Sequence, residues 1–275
     1  METSAIAYQK IRRIGRDEAT DWEDHLAVEE PLEIQLAYYQ SEKKITKSIS
    51  VTMRTPGHDR DLAIGFLFTE GIVSMLDQVE SVKSAVLEEN KVIVTLSDTF
   101  VPTLNALERN FYTTSSCGVC GKASIDAIKT VSAYQDQLDD ILLTKEILFA
   151  LSEKIAGQQN IFESTGGLHA SSLFDLGGNF IMLREDVGRH NALDKLIGAA
   201  FLNNELPLAQ NILLLSGRAS FELIQKAAMA GIKVVAAIGA PSSLAVQLAE
   251  ESSITLVGFL KNDRFNVYTG FGRVE

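Results

Sequence analysis

The chain has 275 residues, of which 46% are hydrophobic and 22% charged, and a formal net charge of −11. That composition can bury a core for one large domain or two modest ones, and it excludes a disordered chain. A charge this negative repels phosphate backbones, so it argues against broad nucleic-acid binding while leaving room for one small anionic ligand in a locally basic pocket.

No apolar run reaches the length of a membrane span, and the first ten residues lack the basic-then-apolar layout of a secretion signal, so a soluble cytoplasmic protein is expected. The first thirty residues are charged and aperiodic, which predicts an irregular lead-in. Leu32, Ile34 and Leu36 alternate with Glu33 and Gln35. Ile49, Val51 and Met53 repeat that period after a polar turn at Ser41-Glu42, so the two segments predict a β-hairpin. Asp59 is placed to cap a helix with Leu62, Ala63, Phe66 and Leu67 on one face, and Gly71 to stop it. Val92, Val94 and Leu96 mark a further strand.

From about Cys117 the pattern changes, and a boundary falls near residues 100–115. Residues 121–133 and 145–159 read as helices, and Gly177-Gly178 as a turn leading into a strand at Phe180-Ile-Met-Leu183. A helix over 189–202 follows. Then come the apolar strands Ile212-Leu-Leu-Leu215, Val234-Val-Ala-Ala-Ile238 and 254–259, separated by helices over 219–230 and 243–251. Short apolar strands alternating with amphipathic helices predict a sheet with parallel pairs, covered on both faces.

Both cysteines of the chain lie in Thr113-Thr-Ser-Ser-Cys117-Gly-Val-Cys120-Gly-Lys122. A disulfide between them would close almost no loop, so a catalytic, redox-active or metal-binding pair is expected rather than a structural one. A helix start and Lys122 would both favour thiolate, the form that attacks sulfur. Tetrahedral zinc needs further ligands, and His25, His58, His169 and His190 have no finger-like spacing. Zinc deaminases carry His-x-Glu ahead of Pro-Cys-x-x-Cys; here Ser171 stands in the glutamate's place and the cysteines come first. No metal site is therefore expected.

Arg184-Glu-Asp-Val-Gly-Arg-His-Asn191 packs acid, base and imidazole around a turn into a helix, where Asp194, one turn on, could orient His190. Capping by Asp186 with a solvated histidine is the equal alternative. Ser164-Thr-Gly-Gly-Leu-His169 adds a second histidine. Ser216-Gly-Arg-Ala-Ser220 and Gly239-Ala-Pro-Ser-Ser243 are strand-to-helix turns that could expose N–H groups to phosphate, with Arg218 adding charge. Neither matches a P-loop or GxGxxG pattern, but two on one sheet edge point to a ligand there.

Taken together, Ser116-Cys-Gly-Val-Cys-Gly-Lys122, Thr165-Gly-Gly-Leu-His169, Glu185-Asp-Val-Gly-Arg-His-Asn-Ala-Leu-Asp-Lys195 and Leu215-Ser-Gly-Arg218 resemble the FdhD family of formate dehydrogenase accessory sulfurtransferases. Arg54-Thr-Pro56, Asp61-Leu-Ala-Ile-Gly-Phe66 and Glu70-Gly-Ile72 also fit, so the resemblance runs from about residue 27 to 275. It implies a cytidine-deaminase-like α/β core, a mixed sheet covered by helices but without the deaminase zinc site. On that reading residues 113–275 form this core and 1–112 a smaller, β-rich N-terminal part. It also implies a homodimer in the cytoplasm. The implied task is to take sulfur from a cysteine desulfurase as a cysteine persulfide and pass it to the molybdenum bis(pterin guanine dinucleotide) cofactor of formate dehydrogenase. Carried over by matching, Cys117 bears the persulfide and Cys120 assists. Phe259, Leu260, Lys261, Asn262, Asp263 and Arg264 match the cofactor-binding stretch; a basic pocket built from some of Arg189, Arg218, Lys261 and Arg264 could hold the dinucleotide phosphates, with His190 beside it to assist proton transfer. A guanine nucleotide would bind as a fragment of that cofactor. A chaperone that grips cofactor and apo-enzyme without sulfur chemistry is the reading from another class, and a metal-dependent deaminase a distant third.

Overall fold

A computed structural model describes residues 4–85, 90–103, 134, 140–155 and 157–275. Where an irregular lead-in was predicted, the chain forms an antiparallel hairpin of β1 (Ile6–Ile14) and β2 (Ala19–Ala27). Its residues are mostly exposed, so no face buries apolar side chains and no alternation marks it in the sequence. It is held by cross-strand pairs instead: Lys10 faces Glu23, Arg12 faces Asp21, and the Arg13 guanidinium stacks 4.5 Å from the Trp22 ring centroid.

The predicted hairpin is β3 (Glu30–Gln40) and β4 (Lys43–Arg54), joined at Ser41-Glu42, both with positive φ as a tight hairpin turn needs. Its second strand departs from simple alternation. A bulge opposite Ile34 and Gln35 shifts the register, so Ile49 points inward while Val51 and Met53 are exposed and Thr52 and Arg54 turn in. β3 also pairs in parallel with β6 (Lys91–Leu96), which pairs with β5 (Val79–Ser84), completing a four-stranded sheet.

The larger sheet has the order β12 (Asn266–Thr269), β11 (Thr255–Gly258), β10 (Val234–Ala237), β9 (Asn211–Leu215), β7 (His169–Asp175) and β8 (Phe180–Asp186). β9, β10 and β11 are parallel, and the outer pairings are antiparallel, giving the mixed sheet the sequence implies. Both faces are buried. Ile212 and Leu214 of β9 pack toward α2 (Lys145–Ile155), through Leu148 and Leu151, while Leu213 and Leu215 join the cluster on the other face. That second cluster holds α4 (Arg189–Leu202), α5 (Phe221–Met229) and α6 (Ser243–Glu251), and it runs on into Leu32, Ile34, Leu36, Val92 and Val94 of the smaller sheet. The N-terminal and C-terminal parts thus share one core, and the expected boundary at 112/113 lies outside the described residues.

α1 (Asp59–Thr69) crosses α4 at two facing glycines. A methyl group on Gly65 would collide with the backbone carbonyl of Asp194, and one on Gly198 with that of Asp61. Asp59 does not cap α1. His58 takes the N-cap position in the left-handed region, and the Asp59 carboxylate binds Arg54 at 2.8 and 2.9 Å. Gly71, with φ 73°, turns the chain after α1 as predicted. α2 ends at Ile155, short of the predicted 159, and the short α3 (Asn160–Thr165) follows. No helix among the described residues is long and apolar enough to cross a membrane.

Candidate functional site

The carboxyl ends of β9, β10 and β11 lie at one sheet edge, where α/β proteins collect ligands. Antiparallel pairing brings the start of β7 and the end of β8 to that edge, so His169 and Asp186 face each other there. The turns that leave this edge are joined backbone to backbone. Gly239 N–H donates to the Gly217 carbonyl at 3.0 Å, and Phe259 N–H to the Gly239 carbonyl at 3.1 Å. Gly239 must be glycine, because a Cβ there would come within 2.9 Å of Gly217 O and Arg218 N.

The two turns singled out in the sequence differ. Ser242 caps α6 by accepting the Ala245 N–H at 3.2 Å, which closes the second turn on itself. Ser220, the N-cap of α5, makes no such bond; its hydroxyl lies 3.4 Å from His190 Nε2. Among the described residues no side chain caps the first turn of α5, which begins beside the exposed Arg218. After β11, Phe259 adopts φ 52°, rare for a bulky side chain, and leaves its ring 44% exposed. Lys261, Asn262, Asp263 and Arg264 form an exposed turn closed by Lys261 N–H to the Arg264 carbonyl at 2.9 Å. Asn262 accepts a hydrogen bond from Ser152 Oγ, and Leu260 is 1% exposed in the core, so only its backbone can meet a ligand.

Much of the Glu185–Lys195 motif holds this edge in place. The buried Asp186 carboxylate accepts from Gly188 N–H at 2.8 Å, Asn191 Nδ2 at 3.1 Å and Thr55 N–H at 3.2 Å, and pairs with Lys195 Nζ at 2.7 Å. Lys195 also donates to the carbonyl of Thr55, tying α4 to the turn after β4. Asp186 does not cap α4, whose N-cap is Gly188 and which has no side-chain cap. Glu185 accepts the N–H groups of Ile161 and Phe162 at the start of α3. Asp194 does not orient His190. It is turned away to Lys226, at 2.9 Å to both oxygens, and to Thr69 at 2.8 Å. His190 faces Ser220 and, at 3.9 Å, Glu222. Burial, then the charges of Lys226 and Arg189, lowers its pKa to about 4, so its imidazole is neutral at pH 7. Burial and the nearby Arg189 charge lower the pKa of His169 as well.

Sequence reasoning missed Lys226 and Thr69, and it named Ser220 and Thr55 only within motifs, without the contacts they make. Lys226 left a signal: it sits on the apolar stripe of Leu223, Ala227 and Ala230, where a lysine needs a buried partner. Cys117, Cys120, Lys122 and the helix predicted over 121–133 lie outside the described residues. Among the described residues no three metal-ligating side chains converge.

The profile of the FdhD/NarQ family matches residues 27–275. A sulfur carrier protein FdhD from Mycolicibacterium paratuberculosis is 45% identical over 273 residues, covering 97% of each chain. One from Streptomyces avermitilis is 46% identical over 275 residues, covering 97% of this chain and 94% of its own. One from the archaeon Sulfolobus acidocaldarius is 40% identical over 267 residues. A crystal structure of a candidate formate dehydrogenase accessory protein from Desulfotalea psychrophila shares the fold, with TM-score 0.74 over 99% of this chain and 100% of that one, at 21% identity. With a full-length sequence match and a matching fold, the chain belongs to the FdhD/NarQ family.

Proposed function

We propose that this protein is a sulfur carrier that serves formate dehydrogenase. It takes sulfur from a cysteine desulfurase as a persulfide on Cys117 and delivers it to the molybdenum bis(pterin guanine dinucleotide) cofactor, which it binds as substrate. The observation that carries this reading is the match to sulfur carrier proteins over nearly the whole chain, with Cys117-Gly-Val-Cys120 as its only thiols. In loading, the Cys117 thiolate attacks the terminal sulfur of the donor persulfide. The S–S bond of the donor breaks, its thiolate leaves, and the transferred sulfur stays on Cys117. Cys120 acts afterwards, as a thiol that can release sulfur through a transient disulfide.

The sheet edge suits the nucleotide ends of the cofactor. Arg218, Lys261 and Arg264 supply positive charge, the uncapped start of α5 supplies N–H groups, and the strained, exposed Phe259 ring offers a stacking face for guanine. His190, neutral and 3.4 Å from the Ser220 hydroxyl, offers a hydrogen-bonding ring nitrogen at this edge. Two proteins working as a homodimer in the cytoplasm complete the proposal.

The test is mass spectrometry of the protein after incubation with a cysteine desulfurase and cysteine. One added sulfur on the peptide holding Cys117 is expected. An unmodified Cys117 under conditions that load a known acceptor would leave the chaperone reading in its place.

A further inference from the structure

We propose that Glu222 and His190 are positioning residues for the Ser220 hydroxyl. The His190 ring, held as its Nε2–H tautomer by the Glu222 carboxylate, donates to Ser220 Oγ and leaves the serine proton free to meet an acceptor atom of a ligand. This arrangement deepens the cofactor reading, on which it rests only for the identity of that ligand.

The turns after β9 and β10 lie side by side. They are bridged in parallel at Ala219 and Pro241 and joined by Ser242 N–H to the Ala219 carbonyl at 3.0 Å. Each ends in a serine with the extended backbone of an N-cap, φ −93° and ψ 167° at Ser220, φ −83° and ψ 159° at Ser242. Equal backbones allow equal caps. Ser242 makes its cap, accepting the Ala245 N–H at 3.2 Å. Ser220 forgoes it and sets its hydroxyl 3.4 Å from His190 Nε2, in the first turn of α4. A stabilising cap given up at one of two matched turns marks a side chain held for a different contact.

A second group fixes which ring atom carries the proton. Glu222 Oε2 lies 3.9 Å from the same Nε2, and its side chain is 23% exposed. An ionised carboxylate accepts and cannot donate, so it favours a proton on Nε2 over a lone pair there. Asp194 does not compete for the ring, being turned to Lys226 and Thr69. His190 is buried and neutral at pH 7, so its ring has a single N–H to place. With that proton on Nε2, Ser220 Oγ is the acceptor and the hydroxyl hydrogen is left to bond elsewhere.

Ser220 ends the same turn that carries Arg218, so a short-range donor and a charge stand together at the sheet edge. They differ in how they hold a ligand. The arginine's attraction is screened by salt, and the hydroxyl's hydrogen bond is not.

The test is long-range proton–nitrogen NMR of the isotope-labelled full chain, which reads the tautomer of each of its four histidines. His190→Gln assigns the signal. Wild-type His190 should be protonated at Nε2 and bare at Nδ1. Glu222→Ala should lower the ratio of the two tautomers about tenfold. Ser220→Ala should shift it the same way by less, and Ser220→Thr should restore it. A wild-type ring protonated at Nδ1, or a ratio unmoved by Glu222→Ala, overturns the positioning. In calorimetry Ser220→Ala should weaken GDP binding about three- to tenfold, by the same factor at low and high salt, with Ser220→Thr near wild type. Equal affinity in wild type and Ser220→Ala overturns the ligand contact. Wild type that fails to bind GDP refutes the cofactor placement and the contact with it, and the tautomer then decides the positioning by itself. The wild-type spectrum is decisive even if a variant fails to fold.

Discussion

Lys226→Met should be among the most damaging single changes in the protein, and a second change should repair it. The Lys226 ammonium lies 2.9 Å from both oxygens of Asp194 and 2.9 Å from Thr69 Oγ1, and Lys226 and Asp194 are 6% and 2% exposed. Removing the lysine leaves a carboxylate buried without its counter-charge, a loss of about 3–5 kcal/mol. Thr69 still donates to Asp194 at 2.8 Å, which favours the lower end of that range. Replacing both, with Asp194→Leu and Lys226→Met, removes the stranded charge and leaves the Thr69 hydroxyl bonded only to the Phe66 carbonyl at 3.3 Å, a loss of about 1 kcal/mol. The double variant should therefore be more stable than Lys226→Met alone, with a coupling energy of about 2 kcal/mol. Urea unfolding followed by circular dichroism measures all three variants. A single variant within about 0.5 kcal/mol of wild type, or a double variant losing the sum of the two singles, refutes the reasoning.

His190 predicts a pH effect with a definite sign. Burial first, then the Lys226 and Arg189 charges, holds its folded pKa near 4, while the unfolded ring protonates near its ordinary ~6.5. Its contribution is thus complete above ~6.5 and lost as pH falls toward 4, to a total of about 3 kcal/mol; His190→Gln should flatten that part of the stability profile, and parallel profiles would contradict it. Gly65→Ala forces a methyl into the Asp194 carbonyl, and should cost at least about 1–3 kcal/mol by thermal or urea unfolding; unchanged stability would show that the α1–α4 contact is looser than described. GDP binding measured by calorimetry should weaken with salt and on Arg218→Gln or Lys261→Gln. Equal affinity in wild type and both variants would remove the turn after β9 and the 259–264 turn from the site.

The parts of the fold legible in the sequence are those where burial imposes a period. β9, β10 and β11 are buried on both faces and read as continuous apolar runs, and α4 and α6 fall where their patterns place them. The β1–β2 hairpin buries neither face, so its register depends on cross-strand pairs that a one-dimensional pattern does not reveal. The bulge in β4 reverses which residues point inward, so Val51 and Met53 look like core and are not. The candidate edge was legible in the sequence, because strand-to-helix turns with small residues mark the carboxyl end of the sheet. Its internal partners were not. Asp194 is one turn from His190 in sequence, yet it pairs with Lys226 from α5 and Thr69 from α1, contacts set by helix packing across a separation of 32 residues or more. Most of the charged residues in the Glu185–Lys195 motif turn out to hold the edge rather than face it.

The central claim is that sulfur travels on Cys117, and the most direct measurement is formate dehydrogenase maturation in cells whose only copy of the carrier is Cys117→Ser. The account predicts a folded variant that still binds GDP, since the residues proposed to hold the nucleotide lie on other segments, and an enzyme left without activity. Cys120→Ser should retain sulfur loading and slow delivery, because a resolving thiol acts after the sulfur arrives. Normal formate dehydrogenase activity with Cys117→Ser would contradict the account at its centre.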